Sequence, residues 1–169
     1  TTYADFENGD IANYDSKGCT AGEIGSVAHS GEKSLKLTSE YTYSLFSFKG
    51  LDEALKEAVA EGYGKVSFWI YVESDKNITY PVWNLWNGQS EFAVQPKVWT
   101  NIVFDITGVV NYNTVQFMSL TAGDNSAGFV YYVDDITFTN ENAIPPEVPF
   151  STTYADFENG DIANYDSKG

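Results

Sequence analysis

The first eighteen residues, TTYADFENGDIANYDSKG, recur letter for letter at residues 152–169. Two unrelated segments do not match over that length by chance. The chain therefore contains a duplication with an offset of 151 residues, about the length of one domain. The simplest source is a tandem array of nearly identical units, each followed by the opening of the next; an appended copy of the N-terminal segment is the alternative. Under both, whatever folds must find its partners within residues 1–151, and a period of that size is enough to bury one core. Residues 140–152, NENAIPPEVPFST, place Pro145, Pro146 and Pro149 close together, the composition of a semi-rigid extended linker. The chain thus divides into a folded unit at 1–139, a linker at 140–152 and the start of a next unit at 153–169. A first strand with an identical twin can be exchanged between copies, so 153–169 is expected to pair as a first strand, on a neighbouring molecule or within an oligomer.

Inside the unit the dominant pattern is short alternation broken by turn residues. Residues 65–73, KVSFWIYVE, set Val66, Phe68, Ile70 and Val72 on one face and Ser67, Trp69 and Tyr71 on the other, the period-two signature of a strand. Residues 34–39 repeat it, with Leu35 and Leu37 against Lys36 and Thr38. Further strands are expected at 3–7, 23–29, 41–48, 78–86, 91–95, 100–106, 114–121 and 129–139, separated by Gly, Asn, Asp and Pro. Residues 10–22 read as polar loop. Aromatic residues make up 16% of the chain, a richness that favours strands. Only 51–61 departs from this, because Leu51, Leu55 and Val59 recur every four residues opposite Asp52, Glu53, Lys56 and Glu57. That is a short amphipathic helix closed by Gly62 and Gly64. The sum predicts an all-β antiparallel sandwich of jelly-roll type, with the helix capping one end.

Charge narrows the partners. Acidic residues outnumber basic ones 24 to 9, the net charge is −15, and every basic residue is Lys. Such a chain is repelled by nucleic acid and anionic lipid and lacks the residue most used to grip phosphate. No apolar run is long enough to span a membrane, so no insertion is expected. Cys19 is the only cysteine, which rules out a disulfide within the unit and a cysteine metal cluster.

Four local patterns follow in order: DFENG, HSGEKSLKL, KVSFWIYV and FVYYVDDITF. Together they resemble the β-jelly-roll carbohydrate-binding modules of galactose-binding-like fold, which open on an F-E-x-G strand, continue with an SG-x-x-SL-x-L turn and strand, and close on a Y-x-DD-(I/V)-x-(F/L) strand. The resemblance implies an extracellular or cell-surface location. It also implies a structural Ca²⁺ between first and last strands, with side-chain oxygens from Glu7 and Asp134 and backbone carbonyls near Ser30 and Lys33. Asp135 is a further candidate. The residues offer a second warrant. By period two Tyr132, Asp134, Ile136 and Phe138 share a face, and Ile136 and Phe138 read as core. Asp134 is then aimed inward, which is costly unless something neutralises it. Hard oxygen ligands suit Ca²⁺; an Asp bonded to turn amides, or solvated at the sheet's rim, is the alternative.

Sugar rings present flat C–H faces edged by hydroxyls, and proteins bind them with exposed aromatic rings beside amides and carboxylates. Residues 79–92 have that composition: Tyr80, Trp83 and Trp86 interleaved with Asn84, Asn87 and Gln89. In a straight strand Trp83 and Trp86 point to opposite faces, so both can serve only if the strand ends before Trp86. Trp69 and Tyr71, off the aliphatic face of their strand, are further candidates. Trp99 is assigned a structural role, as in the family resembled. Catalysis finds little support: His29 is the only histidine, and no nucleophile-elbow or phosphate-loop motif is present. The expectation is a non-catalytic module for a polysaccharide, a neutral glucan or starch, on a secreted or cell-surface protein. The alternative is a spacer or adhesin repeat with no sugar binding.

Overall fold

A computed structural model describes residues 1–9, 14–17, 23–38, 43–48, 50–73, 78–84, 88–108, 117–120 and 130–145, with backbone alone at 14–17, 23, 43–48, 78–84, 88–93 and 117–120. Eleven strands and one helix follow in the order β1 (Thr2–Ala4), β2 (Tyr14–Lys17), β3 (Glu23–Gly25), β4 (Ser34–Thr38), β5 (Tyr43–Phe48), α1 (Leu51–Ala60), β6 (Lys65–Val72), β7 (Ile78–Asn84), β8 (Gly88–Val94), β9 (Thr100–Asp105), β10 (Phe117–Leu120) and β11 (Val130–Thr139). Every strand pair is antiparallel among the described residues. One sheet runs β3-β4-β11-β6-β9, with β1 added to β11 beyond the end of β4. The other strands form β10-β5-β2 and the hairpin β7-β8, and β7 lies alongside β10. This is the antiparallel β-sandwich that the alternation predicts.

The core follows from the same alternation. Leu35 and Leu37 of β4, Val66, Phe68, Ile70 and Val72 of β6, Ile102 of β9, and Tyr131 and Val133 of β11 form one cluster, joined by Val94 of β8. Helix α1 closes this cluster with Leu51, Leu55 and Ala58. Its end is a Schellman motif: Tyr63 N donates to Ala58 O and Gly62 N to Val59 O, with Gly62 at φ 99°. Strand β2 lies in the stretch 10–22 expected to be loop. Its sequence, YDSK, has no apolar alternation to announce it, and its place is set by pairing with β5.

Strand β11 holds the largest departure from simple period two. Its partner positions on β6 pass from Asp134↔Trp69 to Thr137↔Ser67, so β11 spends one residue more than β6 over the same span. The extra residue is a β-bulge, and Asp135 within it adopts φ 49°. Beyond the bulge, Ile136 and Phe138 belong to the core. Before it, Tyr132 and Asp134 pair with Tyr71 and Trp69, on the sheet face turned away from the core. The expectation that Asp134 shares the inward face of Ile136 and Phe138 is therefore corrected. The bulge reverses parity between them.

Candidate functional site

The outer face of the larger sheet is built from positions cross-strand to Trp69 and Tyr71. Asp134 and Asn101 flank Trp69, and Tyr132 stands between Tyr71 and Lys36. Two chain segments cover parts of this face. The first is the run after β11: Asn101 Nδ2 donates to Ser67 Oγ at 2.8 Å and to Phe68 O at 3.1 Å, while its Oδ1 accepts from Ile144 N at 3.0 Å. These bonds satisfy Ser67 and Asn101, which are buried although they face outward.

The second cover is the turn at 29–33, and it gathers every carboxylate proposed as a cation ligand. Asp134 Oδ2 accepts from His29 N at 2.8 Å and Ser30 N at 3.3 Å, and Oδ1 accepts from Asp135 N at 2.8 Å. The residue is fully buried, and desolvation pushes its carboxyl up to about 6 despite these amides. Asp135 turns its own carboxylate to the same turn, accepting from Ser30 Oγ at 2.7 Å and bonding His29 Nδ1 at 2.7 Å. Glu7 holds the far end of the turn. Its Oε1 accepts from Glu32 N at 3.0 Å and Lys33 N at 2.8 Å, and Lys33 Nζ donates to the Glu7 carbonyl at 3.1 Å. Gly31, at φ 61°, is required here: a Cβ would stand 2.5 Å from the Glu7 carboxyl carbon.

Among the described residues no three His, Cys, Asp or Glu side chains form a metal-ligand group, so a cation at this turn would draw on carbonyl oxygens as well. The donor chemistry fits a hard ion. Among the described residues Asp134 Oδ1 takes a single amide, and Glu7 Oε2 takes only the long 3.2 Å contact from Glu32 N, so each retains lone-pair capacity there.

Between the two covers lies a row of rings. The His29 imidazole stacks on Trp69 with centroids 3.9 Å apart and planes at 13°, and meets the Trp99 edge at 5.6 Å. Trp99 packs against Tyr71 at 5.4 Å, and Tyr71 meets Tyr132 edge-to-face at 6.0 Å. Trp69, Tyr71 and Trp99 are partly exposed and His29 is exposed, whereas Tyr132 is buried over Gly25, whose missing Cβ makes room for its ring. Burial first, and then the Glu73 carboxylate, push the Tyr132 phenol up. Lys97 N donates to Val72 O at 2.8 Å, which pins the turn before β9 to the end of β6 and brings Trp99 beside Tyr71.

Trp69 and Tyr71 therefore lie together, as expected. Trp99, read from the sequence as structural, joins them at the surface rather than in the core; its only sequence signal was a tryptophan after a Pro-Lys turn. Tyr80, Trp83, Asn84 and Gln89 fall on the β7–β8 hairpin, a different sheet, with Trp83 paired to Gln89 and Tyr80 to Phe92. Strand β7 ends at Asn84 and β8 begins at Gly88. Trp86 and Asn87 lie between them, outside the described residues, as does 153–169.

No family profile matches the chain, and no curated protein matches it. Solved structures do. One, on the promiscuous specificity of carbohydrate-binding modules of the β-sandwich superfamily, is similar at 19% identity and a TM-score of 0.55 over 83% of this chain and 62% of that one. An exo-β-agarase is similar at 12% identity and a TM-score of 0.55, over 86% of this chain and 25% of the agarase. A family 61 carbohydrate-binding module in complex with β-1,4-galactotriose aligns over 83% of this chain and 99% of its own, at 17% identity and a TM-score of 0.47. The chain has the antiparallel β-sandwich fold that carbohydrate-binding modules use.

Proposed function

We propose that the chain is a non-catalytic polysaccharide-binding module of a secreted or cell-surface protein, one unit of a tandem array, with a neutral glucan or starch as ligand. The observation that carries this reading is the surface row of Trp69, Tyr71 and Trp99 with His29. Rings held off the core, on β6 and on the turns packed against it, offer flat apolar area that suits the C–H faces of pyranose rings. The net charge of −15 favours an uncharged polymer over an acidic one. Tyr80, Trp83, Asn84 and Gln89 of the β7–β8 hairpin, with Trp86 and Asn87 between its strands in sequence, are proposed as a separate contact with the polymer. Tandem copies would raise avidity for a polymer with many equivalent sites. Against catalysis, Asp134 is closed beneath a turn and Glu7 is held by peptide amides, whereas glycoside hydrolysis needs two carboxyl groups facing one cleft.

The test is affinity electrophoresis against soluble polysaccharides. Wild type should be retarded by at least one neutral polymer. Trp69→Ala and Trp99→Ala should each weaken binding by about tenfold, the loss of one stacked ring, and Trp83→Ala and Trp86→Ala measure the hairpin's share. No retardation on any polymer would overturn the reading and leave a spacer or adhesin repeat.

We propose further that Ca²⁺ binds at the 29–33 turn through Glu7, Asp134 and the carbonyls of Ser30 and Lys33, with Asp135 as an additional oxygen donor. The raised Asp134 carboxyl supports this, because it marks a buried acid short of positive charge. An ion at 100 times its Kd would add about 2.7 kcal/mol of stability, so Tm should fall on adding EDTA and recover with Ca²⁺. An unchanged Tm would contradict a bound structural ion.

A further inference from the structure

The described part of residues 1–18 meets the rest of the chain on both sheets. Strand β1 meets β11 at Thr2↔Thr137 and Ala4↔Ile136, with a register shift between. Thr1 and Phe138 exchange main-chain hydrogen bonds at 3.0 and 2.8 Å. Phe6 then enters the core, 5% exposed, and Glu7 clasps the amides of Glu32 and Lys33. Strand β2 completes the piece on the other sheet, against β5. Each residue in these contacts and pairings has its twin in the duplicated segment: Phe6 in Phe157, Glu7 in Glu158, and the YDSK of β2 in residues 165–168. The slot left by 1–18 is thus complementary to 152–169 without any new contact.

The run after β11 bears on which slot that is. Gly64 N donates to Asn140 Oδ1 at 2.8 Å, Lys65 Nζ to Asn142 Oδ1 at 2.6 Å, and Ile144 N to Asn101 Oδ1 at 3.0 Å. These bonds lead the chain from β11 across the start of β6 to β9, whereas β1 lies on the opposite side of β11. The eight residues that follow Ile144, up to Thr152, include three prolines, and at about 3.1 Å per residue a stretch of that length can reach some 25 Å. They start from the wrong side of the sheet for their own slot.

We infer that residues 152–169 of one molecule occupy the place of residues 1–18 in a second copy of this chain, giving head-to-tail association. Donor and acceptor surfaces differ, so the contact is heterologous and continues from copy to copy unless it closes into a ring. Within one molecule the N-terminal segment competes at high local concentration. Disabling it exposes the exchange.

The test uses the full chain with Phe6→Asp, Phe157→Asp and both together, followed by thermal unfolding and light scattering over a hundredfold range of concentration. Phe6→Asp should keep cooperative unfolding within a few degrees of wild type and form multimers that grow with concentration. Phe157→Asp should remain monomeric with an unchanged Tm, and the double variant should lose cooperative unfolding. Two results would overturn the inference: Phe6→Asp as unstable as the double variant, or Phe6→Asp stable but monomeric throughout, which would put the tail in its own molecule's slot.

Discussion

Asp135 adopts φ 49°, a backbone region that costs a non-glycine residue roughly 1 kcal/mol or more. Its bonds to His29 and Ser30, and its amide bond to Asp134, offset that cost. The result is that two adjacent acids address one turn. Glu7 does the same from the turn after β1, and the arrangement depends on Gly31. Gly31→Ala should therefore lower stability by about 2 kcal/mol or more, from positive φ and the clash with Glu7 combined. Gly108→Ala, where an added Cβ meets nothing within 4 Å, should stay within about 0.5 kcal/mol in denaturant titration. Asp134 adds a pH signature. Its folded carboxyl titrates near 6 against 3.8 ordinarily, so between those values the folded state holds a proton that the unfolded state has lost. Stability from this group then rises as pH falls through about 6 and is lost toward neutrality. In EDTA, wild type should gain Tm relative to Asp134→Asn between pH 7 and pH 5. Equal trends in the two proteins would show that Asp134 is not the titrating group.

At the scale of elements, α1 was legible because its four-residue repeat and the following glycines are local signals. Gly62→Ala should cost about 1 kcal/mol by forcing a side chain into φ 99°, whereas Glu57→Ala on the exposed face should be near neutral in urea titration. The strands around Leu35, Leu37 and Val66–Val72 were legible for the same kind of reason, a long run of period two. Strand β2 was not, because Tyr14, Asp15, Ser16 and Lys17 carry no alternation. The β11 bulge was not legible either: it arises from long-range bonds between Asp135 and residues 29–30, which no local pattern encodes. That single bulge explains why period two placed Tyr132 and Asp134 on the wrong side. At the candidate site, Trp69 and Tyr71 could be read from their strand's polar face. Trp99 could not, since it reaches them only through the turn that Lys97 pins to Val72.

For the whole molecule, two covers divide the outer face of one sheet. The core lies beneath it, the turn at 29–33 closes over the acids, and the run at 140–145 closes over Ser67 and Asn101, leaving the rings between the two segments. This remaining strip is expected to meet the polymer. The most direct measurement is a titration of the protein with whichever soluble polysaccharide retards it, followed through the assigned indole N–H signals of its four tryptophans. Saturable shifts at Trp69 and Trp99 are the predicted result, with the Trp69 shift in Trp99→Ala needing about tenfold more polysaccharide. Binding that leaves both of these signals unmoved would contradict it.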